Sequence, residues 1–310
     1  MNNNKREILR KREIKIIELP TNLGLSKMPY AKEPGVRRLP EWLNKYGLHS
    51  GVEADKIITI EAPIYKSDID PITDIRNANA IIQYAIKQSV VLENELSGGS
   101  FLLVLGGDCS ILIGSALALN KKGRFGLFYL DGHTDYIKPE QSQTHGAAGM
   151  DLAIVCGYGH PNLTNIKDQE PYFQQQYVYC VGNREYDEVY EEPVLNSMVT
   201  YFTLNQLRKK GSKKVVSEFL AMINNNNLDG FFIHFDVDVL DDLVMPAVDS
   251  RQDDGLSYSE LKEILVPLLT NYKAVGIEIT ILDPDLDING RYTKDFIENF
   301  LAILKDSKLI

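Results

Sequence analysis

Two short segments hold chemistry-bearing side chains at regular spacing: Asp131-Gly132-His133-Thr134-Asp135 and Asp236-Val237-Asp238. In extended chain, residues at i, i+2 and i+4 point the same way. One imidazole and two carboxylates therefore converge in the first segment, and two carboxylates in the second. Four carboxylates in one crevice repel one another and hold their protons unless cations neutralise them. A pair of divalent metal ions about 3.5–4 Å apart is the common solution. Either segment alone would read as a solvated loop or a cap. Each, however, ends an apolar run that has no packing use for Asp or His, and together they point to a metal site.

Further candidates are single residues. His145, before Gly146 and ten residues after Asp135, lies in a polar stretch, and beside a metal cluster it is a candidate proton carrier. In Leu105-Gly106-Gly107-Asp108-Cys109-Ser110 a strand turns tightly into a helix from Ile111 to Leu119, with Asp108 or Ser110 as its cap. Taken alone, Cys109 reads as a buried, inert thiol. No Gly-Lys-Ser/Thr follows, which excludes a Walker-type phosphate loop. His234, inside an apolar run, reads as a core histidine, and His160, before Pro161, as a turn residue.

The elements that must position these groups are legible as short apolar runs: Phe101 to Leu105, Phe125 to Leu130, Tyr177 to Val181, Phe231 to Phe235 and Ala274 to Leu282. Runs apolar on both faces suit strands buried between two helical layers. Amphipathic patterns over Thr73 to Leu96, Ser257 to Leu269 and Thr293 to Leu304 predict helices, the second opened by a Ser257-x-x-Glu260 capping box. The alternation predicts an α/β fold, a three-layer α/β/α single domain over residues 1–310 with a mostly parallel central sheet. Ligands in such folds bind at the carboxyl ends of the strands, where both Asp clusters fall.

With 33 Lys+Arg against 43 Asp+Glu in 310 residues, the net charge of -10 argues against nucleic acid or an anionic membrane surface as partner. Three scattered cysteines, at 109, 156 and 180, form no disulfide framework and suit a reducing, cytoplasmic setting. The basic N-terminus lacks the apolar core of a signal peptide and reads as a solvated arm feeding a first strand. No apolar run reaches the roughly 18 residues that span a bilayer.

These motifs, in order, resemble the arginase/agmatinase (ureohydrolase) family: Gly-Gly-Asp-Cys-Ser at 106–110, Asp-Gly-His-Thr-Asp at 131–135, His-Gly at 145–146 and Phe-Asp-Val-Asp-Val-Leu-Asp at 235–241. The likeness runs from about residue 100 to the C-terminus, with weaker matches at Gly255-Leu256-Ser257-Tyr258 and Asp283-Pro284. It implies a dinuclear centre, usually manganese, acting on a guanidine- or amidine-like small molecule. Cys109, Asp131, Asp135 and Asp236 would hold one ion, and His133, Asp131, Asp236 and Asp238 the other. A hydroxide between the ions would attack the trigonal carbon, with Asp135 holding it by a hydrogen bond and His145 passing protons to the leaving amine. Asp187, after Gly182, falls where family members contact the far end of the substrate. The resemblance also implies a homo-oligomer, trimer or hexamer.

Two positions depart from the family pattern. Cys109 stands where the family has His, and a thiolate favours zinc or iron over manganese. Three outcomes follow: a thiolate-ligated site, a weakened one, or an empty one. Ile281 stands three residues before Pro284, where enzymes acting on guanidinium groups place Glu, and the nearby Glu278 should face the other side of its strand. The leading expectation is a metal-dependent hydrolase of linear non-peptide C–N bonds, in guanidine, amidine or formimino compounds. The alternative is a non-catalytic or metal-impaired relative kept for binding or regulation.

Overall fold

The computed structural model describes residues 12–28 and 32–310; the expected N-terminal arm, through residue 11, lies outside that range. Eight strands form one sheet: β1 Ile14–Leu19, β2 Lys56–Thr59, β3 Phe101–Gly106, β4 Phe125–Leu130, β5 Val178–Val181, β6 Thr200–Phe202, β7 Gly230–Asp236 and β8 Ala274–Thr280. Their order is β2-β1-β3-β8-β7-β4-β5-β6, and every neighbouring pair is parallel. Parallel strands need crossovers, and helices supply them on both faces of the sheet. Side-chain alternation divides the core accordingly: Phe128, Leu130, Ile233 and Phe235 pack on one face, Leu127, Tyr129 and Phe232 on the other. The fold is the expected α/β arrangement, and the sheet is parallel throughout.

The predicted helices form at Ala78–Glu95, Ile111–Lys122, Tyr258–Thr270 and Arg291–Asp306. Ser257 and Glu260 make the reciprocal capping box. The first of these helices starts later than its apolar period suggested. Thr73 donates both its backbone N–H and its hydroxyl to Asp70, and Asp74 and Asn77 adopt φ of +57° and +54°, so residues 73–77 form a turn instead. The helix after Cys109 has no side-chain cap at Ser110; Asp108 accepts the Ser110 N–H at 2.9 Å instead.

Gly107 is required by close approach. A Cβ there would lie 1.6 Å from the carbonyl oxygen of Thr21, so no side chain fits without moving the loop after β1. This contact fixes the turn that presents Cys109. We expect Gly107→Ala to destabilise the fold by about 3 kcal/mol, at the upper end of overpacking costs. Urea unfolding measures it, and a loss below about 0.5 kcal/mol would show that the turn yields freely.

Candidate metal centre

The carboxyl ends of β3, β4, β7 and β8 open onto a cavity of about 420 Å³ whose wall includes Cys109, His133, Asp135, Asp236, Asp238 and Ile281. Cys109 is buried and donates its thiol to Asp236 Oδ2 at 2.8 Å, with Thr280 Oγ1 at 3.2 Å. Strand β4 delivers Asp131 at its end, and β7 ends in Asp236. The Gly132 N–H donates to Asp238 Oδ1 at 3.0 Å, tying the two ends together. His133 Nδ1 lies 3.0 Å from Asp238 Oδ2 and 3.5 Å from Asp131 Oδ1. Gly182, at φ +114°, lets the chain after β5 pass close by; a Cβ there would sit 2.6 Å from the Asp131 carbonyl.

Two groups of potential ligand atoms result, each with its donors within 4.8 Å of one another: Cys109, Asp131, His234 and Asp236; and Asp131, His133 and Asp238. Asp131 belongs to both. Burial pushes the carboxyls of Asp131, Asp135 and Asp236 above the ordinary range, reinforced by their acidic neighbours. It also raises the Cys109 thiol, with Asp236 the next cause. Burial works against charge on His133, but Asp238 and Asp131 outweigh it and hold the ring well above its usual value. Asp238 is likewise buried, yet His133 and Arg184 bring it below its usual value. Without a cation, burial at this cluster thus works against charge on most of its acidic groups.

The donor set fits a divalent ion. Asp131 Oδ2 and His234 Nε2 are buried without a hydrogen-bond partner among the described residues. Such orphaned atoms cost about 1–3 kcal/mol each, a penalty that ligation would remove. Carboxylate, imidazole and thiolate are metal-binding groups.

The remaining predicted residues are placed less centrally. Asp135 lines the cavity, but its Oδ2 accepts the Tyr129 hydroxyl at 2.9 Å and it belongs to neither ligand group. His145 is not among the lining residues; its Nδ1 faces Asp74, 3.2 Å from Oδ1 and 3.1 Å from the carbonyl. Asp187 caps the helix Glu188–Leu195 by accepting from Tyr190 N, while Glu185 and Tyr190 reach the cavity. Ile281 does line the wall, and Glu278 lies elsewhere, buried against Ser115 and His234.

Sequence reasoning passed over His234. The signal was its parity: two residues before Asp236, it shares that residue's face of β7. It also passed over Tyr129 and Asp151, whose buried hydroxyl and carboxyl meet at 2.9 Å.

Comparison with known proteins agrees with this geometry. The family model described as "Arginase family" matches residues 25–303. An arginase of Staphylococcus aureus (strain MRSA252) is 27% identical over 286 residues, covering 91% of this chain and 93% of that protein. The solved structure of the Bacillus caldovelox arginase superposes with a TM-score of 0.83 at 26% identity, covering 96% of this chain and 98% of that one. A formimidoylglutamase structure from Bacillus subtilis shares the fold, with a TM-score of 0.69 at 22% identity over 96% of this chain and 87% of that one.

The raised carboxyls of Asp131, Asp135 and Asp236 give a pH dependence with a defined sign. A carboxyl whose folded pKa is raised stabilises the fold below its unfolded value, about 4, and loses that contribution as pH rises through the folded value. The raised His133 acts in the same direction. Metal-stripped protein should therefore unfold at lower urea concentration at about pH 8 than at about pH 5, and added divalent metal should restore most of the loss at the higher pH. A stripped protein that gains stability across that interval contradicts the assignment.

Proposed function

Because the chain belongs to the arginase family of ureohydrolase-type enzymes, we propose that it is a metal-dependent hydrolase of a linear, non-peptide C–N bond in a small guanidine, amidine or formimino compound. The observation that carries this reading is that the buried Asp131 meets both Cys109 with Asp236 and His133 with Asp238, and that these four line one acidic cavity. These five residues would hold two divalent ions, manganese by resemblance or zinc or iron because of the thiol. Such a pair, when bound, lowers the pKa of water and polarises the substrate.

The protein's own groups supply the rest. Asp135, fixed by the Tyr129 hydroxyl, would orient the attacking water from the cavity wall. His145, one residue beyond the lining residue Thr144, would carry the proton to the leaving amine. The loop after β5 would meet the far end of the substrate, with Glu185 at the wall and Asp187 further along. Glu185 and Asp249 add to the acidic lining, which attracts cationic small molecules and repels a phosphodiester. Residues 1–310 would act as one catalytic domain, in the cytoplasm, where three free, buried cysteines are stable. By resemblance the assembly is a trimer or hexamer. No helix among the described residues is long and apolar enough to cross a membrane.

Ile281 narrows the substrate. It puts an aliphatic wall where a guanidinium would want a bidentate carboxylate, a loss of about 1.5–3 kcal/mol. This favours an amidine or formimino compound over arginine or agmatine. Ile281→Glu should lower KM for guanidino substrates by about 10-fold or more. No change in KM would place substrate recognition elsewhere.

Elemental analysis of protein purified without added metal, followed by ammonia and urea assays on a panel of guanidines, amidines and formimino compounds, tests the main reading. We expect up to two transition-metal ions per chain, loss of activity and of metal in Asp236→Ala, and ammonia without urea from the preferred substrate. Full metal content in that variant would overturn the ligand assignment. The buried Cys109 in place of His supports a second reading, a metal-impaired relative. In that case Cys109→His would raise metal occupancy, whereas a catalytic thiolate site would lose activity on the same change.

A further inference from the structure

His234 occupies an unusual place for a core histidine. It is fully buried on β7, on the face that also carries Asp236. Its ring is fixed from two sides. Nδ1 lies 2.7 Å from Glu278 Oε1, on the residue directly across the ladder in β8, and Glu278 Oε2 in turn accepts Ser115 Oγ at 2.7 Å. The ring also stacks flat on Tyr129, with centroids 4.4 Å apart and planes 5° from parallel.

A ring held this way has the direction of its other nitrogen decided. Nε2 has no hydrogen-bond partner and sits 3.9 Å from Asp131 Oδ2, which has none either. Cys109 Sγ and the Asp236 carboxylate complete the group, with all four donor atoms within 4.8 Å. A histidine serving packing alone would leave neither atom orphaned. Asp135 is not in this group, its Oδ2 being taken by Tyr129.

Resting on the metal-dependent reading above, we propose that His234 is a metal ligand, and that Cys109, Asp131, His234 and Asp236 form one cation position in which His234 takes the place otherwise assigned to Asp135. Metal–nitrogen and metal–sulfur bonds of about 2.0–2.3 Å in a tetrahedron put donors roughly 3.3–3.8 Å apart, so donors now within 4.8 Å of one another would draw together on binding. Glu278 and Tyr129 are positioning residues. The carboxylate fixes the ring tautomer and raises its basicity, as second partners of ligating histidines do. A set of one sulfur, one imidazole nitrogen and two carboxylates selects zinc or ferrous iron over manganese at this position. The second position, His133 and Asp238 with the shared Asp131, keeps the harder nitrogen–oxygen set.

The test uses the full chain, stripped with chelator and titrated separately with Zn²⁺, Co²⁺ and Mn²⁺. X-ray absorption of wild-type protein at one equivalent of Zn²⁺ should show one sulfur and one imidazole, and Mn²⁺ should bind that position more weakly. His234→Ala should lose one tightly held ion per chain and the sulfur-containing spectrum, while His133→Ala keeps both. Glu278→Gln, which preserves shape, should weaken Zn²⁺ binding about 10- to 100-fold. A wild-type shell without sulfur and imidazole, or unchanged stoichiometry and affinity in a folded His234→Ala, overturns this assignment and leaves the broader hydrolase reading standing. Wild-type protein that binds no divalent ion overturns both. Should His234→Ala fail to fold, the wild-type spectrum and Glu278→Gln decide alone.

Discussion

Burying several carboxylates at one point is expensive, and the structure is arranged around that cost. Asp131, Asp236 and Asp238 are each at most a few per cent exposed, yet they sit at the ends of strands whose other residues, His234 apart, are apolar or glycine. An isolated buried carboxylate would simply keep its proton. Several of them around one volume, interleaved with an imidazole and a thiol, make a site suited to a divalent ion, which would displace protons and turn the cost of charge burial into affinity. Rigidity follows from the same arrangement, because each ligand-bearing residue continues a strand paired on both sides, or lies within a few residues of one.

The strain continues outward from the ligand groups. Tyr129 places one hydroxyl proton between Asp135 and Asp151, each 2.9 Å away. One hydroxyl proton cannot serve two ionised acceptors at once, and burial raises both carboxyls above their ordinary range. The face of the sheet behind the ligands is thus polar and hydrogen-bonded, joined through Tyr129 to His234 and through His234 to Glu278. Buried networks of this kind specify side-chain positions closely when every member is satisfied. Among its atoms left without a partner, Asp131 Oδ2 and His234 Nε2 lie 3.9 Å apart.

Strand β8 shows how position outweighs residue type. Its last paired residue is Thr280, and Ile281 follows at φ +75°, a conformation costing a β-branched residue about 1–3 kcal/mol. The Ile281 N–H donates to the Gly107 carbonyl at 2.8 Å, so the backbone is held by the same turn that presents Cys109. The strained residue faces the cavity, where strain is found when local geometry is specified by function. Glu278, one turn of the pleat earlier and of opposite parity, is directed instead to His234 and Ser115, as the count of residues required.

Much of this was legible in the residues. Apolar runs located five of the eight strands, because hydrophobic burial on both faces leaves a clear linear signature, and the Asp clusters that end two of them located the rim where they open. The short strands β2 and β6 carry no such signature, being half exposed at the sheet edges. The spacing of Asp131, His133, Asp236 and Asp238 announced convergence, since alternation along extended chain is a local property. The sequence alone could not say which atoms would be left without partners. His234 reads as a core residue until β8 sets Glu278 beside one nitrogen and the end of β4 sets Asp131 before the other. His145 and Asp187 read as site residues from their motifs alone, and only the loop geometry sets the first beside Asp74 and gives the second a helix to cap. Alternation, caps and apolar periods are written within a few residues of chain; satisfaction of a buried polar atom depends on segments far apart in it, 44 residues for His234 and Glu278 and 127 for Cys109 and Asp236, and only the assembled sheet decides it.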